Sequence, residues 1–145
     1  MVKPIFEYKV SDKFLQVWSN VLTKEIEPNK DTYTIYLTVT LNDQPISCCE
    51  IIELDPENYL IQNIAVLPQI RHQMVAQYTL RFAETKIRDI GGMNSIVRVE
   101  PQYENHYRKL GFHEHLDGEI IQENNIKKIE MIRILRIKKS RKKRD

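Results

Sequence analysis

The spacing of hydrophobic positions changes period along the chain, and each change predicts an element. Phe14, Val17, Trp18, Val21 and Leu22 recur at the three-and-four spacing of a helix that buries one stripe. Ser11 stands just ahead of them, and its hydroxyl suits it to accept a bond from an early helix amide. The pattern therefore predicts an amphipathic helix that ends near Pro28. Ile35, Leu37, Val39 and Leu41 then alternate with Thr34, Tyr36, Thr38 and Thr40, the period of two expected of a strand with one buried face. The turn residues Asn42, Asp43, Gln44 and Pro45 lead into a partner strand over residues 46–54. A second turn through Asp55, Pro56, Glu57 and Asn58 leads into a third strand over residues 59–67, which Pro68 stops.

After a polar loop over residues 69–73 the helical period returns. Val75, Ala76, Thr79, Leu80, Ala83, Ile87 and Ile90 define one face, with Arg81, Glu84 and Arg88 on the other. Gly91 and Gly92 close this helix. Residues 95–99 read as a short apolar strand, and Pro101 suits the first turn of a short helix. Tyr103, Tyr107 and Leu110 fall on one side of that helix, and Gly111 stands where a left-handed cap is needed. Residues 112–115 and 128–137 read as the last strands, joined through Asp117, Gly118 and a polar loop. Helix, three-strand meander, helix, strand, helix and strands make a layered α/β (α+β) domain. A strand running through a loop into a helix N-terminus offers free backbone N–H groups and the positive end of the helix dipole to an anion.

At 145 residues the chain fits one domain with one core. We read residues 1–137 as that domain and 138–145 as a basic, disordered tail. The net charge of +2 hides an asymmetry. Residues 136–145 hold seven basic residues and one acidic one, leaving a body with 15 basic and 19 acidic residues. An acidic body argues against a general nucleic-acid surface, so any nucleic-acid contact or nuclear import is expected through the tail alone. No apolar run approaches the ~20 residues of a membrane helix, and residues 1–10 lack the apolar centre of a signal peptide. A cytoplasmic protein without membrane partners is the expectation.

Cys48 and Cys49 are neighbours and read as buried strand thiols in a reducing compartment rather than a disulfide or a zinc site. Trp18 reads as core. His106, His113 and His115 fit no metal-ligand spacing, so no metal is expected. Glu50, Glu53 and Glu57 read as ordinary exposed strand and turn charges.

The run Val66, Leu67, Pro68, Gln69, Ile70, Arg71, His72, Gln73, Met74, Val75, Ala76 resembles the signature loop of the GNAT superfamily of acetyl-coenzyme A-dependent N-acetyltransferases. There a strand ends in Val-x-Pro and an Arg/Gln-x-x-Gly-x-Gly/Ala loop opens a helix. About thirty residues on, the family carries a Tyr and then Leu-Gly-Phe, similar to Tyr107, Arg108, Lys109, Leu110, Gly111 and Phe112 here. The resemblance implies a mixed, mostly antiparallel sheet with splayed central strands flanked by helices. It implies that backbone groups of Ile64, Ala65 and Val66 hold the pantetheine arm of acetyl-coenzyme A. Arg71, His72, Gln73, Met74, Val75 and Ala76 would cradle the pyrophosphate. It further implies Tyr107 as the acid for the leaving thiolate, with Glu100 the candidate base. The sequence departs from the family at Met74 and His72, where glycines are usual, and a non-catalytic acyl-coenzyme A-binding domain is the alternative that this departure leaves open.

Within the superfamily the chain is most similar to small glucosamine-6-phosphate N-acetyltransferases. Ile61, Gln62, Asn63, Ile64, Ala65 and Val66 stand where those enzymes carry Ile-Glu-Asp-Ile-x-Val, with amides in place of both carboxylates. This likeness implies Gln62, Asn63, Arg108, Lys109 and Arg133 as acceptor contacts, the cations for a sugar phosphate, and a homodimer joined through C-terminal strands. Polyamines, amino acids, aminoglycosides and protein amines remain open as acceptors.

Overall fold

In a computed structural model the chain is described at residues 1–23, 26, 33–115, 120–123 and 125–136, with backbone alone at 71–73 and 120–123. The elements run β1 (Val2–Glu7), α1 (Asp12–Val21), β2 (Thr34–Leu41), β3 (Gln44–Glu53), β4 (Asn58–Val66), α2 (Val75–Asp89), β5 (Asn94–Val99), α3 (Glu104–Lys109), β6 (His113–Glu114), β7 (Ile120–Glu123) and β8 (Ile126–Ile134). Short 3₁₀ turns over Pro68–Gln73 and Pro101–Tyr103 precede α2 and α3. The strands form one sheet in the order β1-β2-β3-β4-β5-β8-β6, with β7 beside β6 on the same edge of β8. Every pairing is antiparallel except β4 with β5.

Helices α1 and α2 take opposite faces of the sheet. Ser11 caps α1 as expected, its Oγ accepting from the Phe14 amide at 3.2 Å. Phe14, Val17 and Trp18 then pack on Tyr36, Cys48 and Ala65. On the other face Val75, Leu80, Ala83 and Ile87 of α2 join Ile35, Leu37, Val39, Cys49 and Ile51 in the main core. Consecutive residues of β2 and β3 thus serve alternate cores, and the whole of Ile46–Ile52 is buried. The expected turn between β2 and β3 forms on Asn42 and Asp43, both at positive φ (50° and 67°).

Three expectations require correction. Helix α1 ends at Val21, short of Pro28: Leu22 is already extended at φ −104° and ψ 135°, and its N–H closes the last turn on the Trp18 carbonyl. Pro28 itself lies outside the described residues, as do Asp117, Gly118 and residues 138–145. The chain opens with a strand, β1, that the pattern did not announce. Its residues are half-buried or exposed, as befits a strand pairing only β2, so no alternation marks it. At the other end β8 spans Ile126–Ile134 rather than 128–137, and β7 folds back on it around Asn125 at φ 65°.

Glu84 is the fourth correction. It sits on the buried side of α2 at 2% exposure, not with Arg81 and Arg88 on the polar side. Its carboxylate accepts from Ser95 Oγ at 2.7 Å and meets Arg133 at 3.5 Å, which offsets the cost of burying it. Beyond α2 the two glycines do what the pattern requires. Gly91 takes φ 93°, and Gly92 donates back to the Ile87 carbonyl at 2.8 Å. A Cβ at Gly92 would lie 2.4 Å from Ile87 and 2.8 Å from the Tyr59 ring.

Candidate active site

The site is made by two central strands that meet and then part. Strands β4 and β5 are parallel, and their register runs only from Asn58↔Asn94 to Leu60↔Ile96. Beyond Leu60, β4 stays paired to β3 while β5 stays paired to β8. A bulge accompanies the parting. On β3 the register passes from Cys48↔Ala65 to Glu50↔Gln62, so β4 holds one extra residue there. Asn63 in that stretch adopts φ 55°, a left-handed conformation that Asn tolerates better than most residues. A bulge bends its strand and re-aims side chains. The residues 61–66 of β4 therefore keep one edge free of β5, where an extended amide-bearing chain can bond to the backbone.

The gap is a cleft of about 490 Å³. Ile61, Gln62, Asn63 and Ile64 form the β4 wall, and Val97, Arg98, Val99 and Glu100 the β5 wall. Tyr103, His106 and Tyr107, with Leu22 and Lys128, complete the lining. A second cavity of about 140 Å³ lies towards the start of α2, lined by Ile64, Ala76, Gln77, Leu80, His106, Tyr107 and Leu110. Ile64, His106 and Tyr107 line both, so the two cavities adjoin at Tyr107.

Tyr107 is held by α3, its ring edge-to-face on Phe112 with centroids 5.6 Å apart and on His106 at 5.5 Å. The Phe112 amide donates to the Tyr107 carbonyl at 3.0 Å, and Gly111 at φ 100° makes that reversal possible. Burial pushes the Tyr107 phenol above its ordinary value of 10.0. A phenol is protonated throughout the neutral range in any case, and the shift keeps it so, able to donate. Glu100 stands where β5 turns into the 3₁₀ segment, its carbonyl accepting from the Tyr103 amide at 2.9 Å, and it shares the cleft with Tyr107.

The loop before α2 resolves the puzzle of the missing glycine. Met74 takes φ 57° and ψ 24°, the left-handed conformation a glycine would adopt, and its residue surface is 58% exposed. It is the N-cap of α2 but supplies no side-chain cap bond, and no acidic residue lies in the first turn. The 15-residue helix thus presents its first amides uncapped, with the dipole behind them. This arrangement fits a pyrophosphate, which the backbone of residues 71–76 would hold.

Of the expected acceptor contacts, Gln62 and Asn63 line the cleft and Arg108, Lys109 and Arg133 do not. Arg108 is exposed and engaged by Glu104 at 3.1 Å and Glu114 at 2.6 Å. Arg133 donates to the Leu110 carbonyl at 2.9 Å and meets Glu84. It shares a separate cavity of about 150 Å³ with Lys109. Alternation along β8 explains the placement, because Arg133 falls on the face of Met131, which packs in the core with α2. The cations on the cleft are instead Arg98 and Lys128, which the sequence reading did not single out. Arg98 is bonded through Nε to Glu130 at 3.1 Å, and Glu130 also takes His115 Nδ1 at 2.6 Å.

Glu50 also departs from its expected exposure. It is buried at 3% exposure rather than solvated, and it accepts from Asn63 Nδ2 at 2.6 Å and from Gln62 Nε2 at 3.4 Å. Glu53 and Glu57 remain partly or fully exposed. A charge at the centre of an apolar run was the signal that set Glu50 apart. Cys48 and Cys49 are free and buried; burial pushes the Cys48 thiol up to about 12 and the Cys49 thiol well above its ordinary range. Among the described residues no group of three His, Cys, Asp or Glu side chains is placed to hold a metal ion, and no helix is long and apolar enough to cross a membrane.

Comparison with known proteins places the family and the fold. The acetyltransferase (GNAT) domain family model matches residues 5–135. Among curated proteins none matches the sequence significantly. Solved structures match in fold. An acyl-CoA N-acyltransferase from Pseudomonas aeruginosa superposes with a TM-score of 0.71 at 16% identity, covering 92% of this chain and 99% of that one. The ribosomal-protein-S18-alanine N-acetyltransferase from Escherichia coli gives 0.70 at 12%, covering 96% and 98%. An aminoglycoside 6'-N-acetyltransferase solved with coenzyme A gives 0.62 at 11%, covering 74% and 76%.

Proposed function

The chain belongs to the GNAT acetyltransferase family, and on that premise we propose that it moves the acetyl group of acetyl-coenzyme A to a small primary amine in the cleft between β4 and β5. The observation that carries this reading is the position of Tyr107, which lines both the β4–β5 cleft and the cavity at the start of α2. A side chain at that junction lies between a cofactor held along β4 and α2 and an acceptor entering from the cleft.

The residues divide the work. The backbone of Ile64, Ala65 and Val66 holds the pantetheine arm, and the amides of residues 71–76 hold the pyrophosphate. Bound acetyl-coenzyme A supplies the thioester carbonyl that a neutral amine attacks. Glu100 takes a proton from the incoming ammonium or from the amine as it reacts. Tyr107, a phenol that is protonated at neutral pH and that burial keeps so, gives a proton to the departing thiolate. A thiolate leaving into this cleft would otherwise carry an unstabilised charge in a poorly solvated space.

The acceptor is an amine that also bears an anionic group. Arg98 and Lys128 supply the cationic side of the cleft, and Gln62 and Asn63 the polar side opposite on β4. Glucosamine 6-phosphate has this character and is the first acceptor to test, with its phosphate assigned to Arg98 and Lys128 instead of Arg108, Lys109 and Arg133. The test is thiol release from acetyl-coenzyme A with a panel of glucosamine 6-phosphate, spermidine and a peptide with a free N-terminal alanine. The reading expects turnover of the sugar phosphate and an about tenfold higher KM for it in Arg98→Ala. Turnover of spermidine alone, an amine with no anionic group, would reject it.

A further inference from the structure

We propose that Glu50 is a positioning residue for the acceptor amine: its buried carboxylate turns the NH₂ groups of Gln62 and Asn63 inward, so that their carbonyl oxygens face the cleft and receive the amine. The identity of the ligand as an amine rests on the acetyl-transfer reading; the positioning does not.

Three observations converge on Glu50. It lies opposite Gln62 in the β3–β4 register, so both side chains share a face. The bulge at Asn63 then brings a second, consecutive side chain to the same carboxylate, and one oxygen, Glu50 Oε1, accepts from both amides. The orientation of the amides follows from chemistry. A carboxylate only accepts, so the side of each amide turned to Glu50 is its NH₂. Each planar amide then has its carbonyl oxygen on its other arm, and both residues line the cleft.

The arrangement also has an electrostatic sense. Glu50 is buried, and among the described residues no cation is paired with it. A buried carboxylate with only two amides for partners is costly to keep. That cost is reduced when a cationic ligand arrives on the far side of the amides. The two carbonyl oxygens offer an ammonium hydrogen-bond acceptors with a negative charge behind them. Amides cannot take the proton, so recognition of the amine and its deprotonation fall to different residues, the first to Gln62 and Asn63 and the second to Glu100. The same pair of positions carrying carboxylates would merge those roles.

The experiment uses the full chain and the variants Glu50→Gln and Glu50→Asp. Steady-state rates are measured with acetyl-coenzyme A and the best amine of the panel, together with thermal unfolding and the side-chain amide NMR signals of Gln62 and Asn63. In Glu50→Gln, KM for the amine rises about tenfold, the effect of losing one charge-assisted contact. KM for acetyl-coenzyme A stays within about twofold and the melting temperature does not fall, because the variant removes a costly buried charge. Glu50→Asp, which keeps the charge on a shorter arm, lies between. Both KM values rising together, or a lower melting temperature with unchanged KM for the amine, would overturn the proposal in favour of a purely structural role. If the unaltered protein turns over no amine, the NMR signals decide. Asn63 amide signals that move in Glu50→Gln keep the positioning and count against acetyl transfer. Signals that do not move remove the positioning itself.

Discussion

Glu84 of α2 and Arg133 of β8 meet at 3.5 Å, and the same guanidinium donates to the Leu110 carbonyl at 2.9 Å just before the reversal at Gly111. A charge buried at 2% exposure on the second helix is thereby tied to the last long strand and to the segment carrying Tyr107. This makes Arg133 a structural cation.

Replacing Arg133 should consequently reveal itself in stability. Arg133→Met leaves the Glu84 carboxylate with Ser95 alone and costs about 2 kcal/mol of unfolding free energy. Urea unfolding measures it. KM for the acceptor stays unchanged, whereas Arg98→Ala raises it about tenfold. A variant of Arg133 with full stability and a raised acceptor KM would return this residue to the binding site.

Met74 gives the second prediction. A non-glycine residue in the left-handed region costs roughly 1 kcal/mol, and here φ is 57° with the side chain largely in solvent. Met74→Gly raises stability by about 1 kcal/mol and lowers KM for acetyl-coenzyme A about threefold, since backbone approaches phosphate more freely without a Cβ. Unfolding curves and initial rates check the two effects separately. An unchanged KM would mean that the Met74 side chain already lies clear of the pyrophosphate.

The thiols of Cys48 and Cys49 set a pH dependence. Both are held protonated by burial, Cys48 up to about 12 against an ordinary 9.0. Folded-state values above the unfolded ones mean that the folded chain binds more protons in alkali. The contribution is therefore intact below pH 9 and is lost as pH rises from about 9 towards 12. Urea midpoints should fall across that window, and the double variant Cys48→Ala, Cys49→Ala should fall less steeply. A thiol reagent at pH 8 should label the unfolded chain and spare the folded one.

Most of the frame was legible because its signals are local. The alternation from Thr34 to Leu41, the glycines after α2 and the cap at Ser11 each declare an element within a few residues. The short strand β1 was not, since a half-buried edge strand needs no alternation. The burial of Glu84 is not legible locally because its partners, Ser95 and Arg133, are distant in sequence. The site divided in the same way. Tyr107 and Gln62 follow from motif and spacing, while Arg98 and Lys128 reach the cleft through strand register across β5 and β8, which no local pattern reveals. The bulge at Asn63 and its bond to Glu50 depend on tertiary pairing in the same way.

The most direct test of the account follows thiol release from acetyl-coenzyme A in the unaltered protein and in Tyr107→Phe, with acetyl-coenzyme A affinity measured on both. The account predicts saturable binding of the same strength in the two proteins. It predicts a kcat lower by roughly 10²–10⁴ in Tyr107→Phe, the usual contribution of a positioned acid. Full turnover in Tyr107→Phe would remove Tyr107 as the acid, and absence of saturable acetyl-coenzyme A binding in the unaltered protein would contradict acetyl transfer in this cleft.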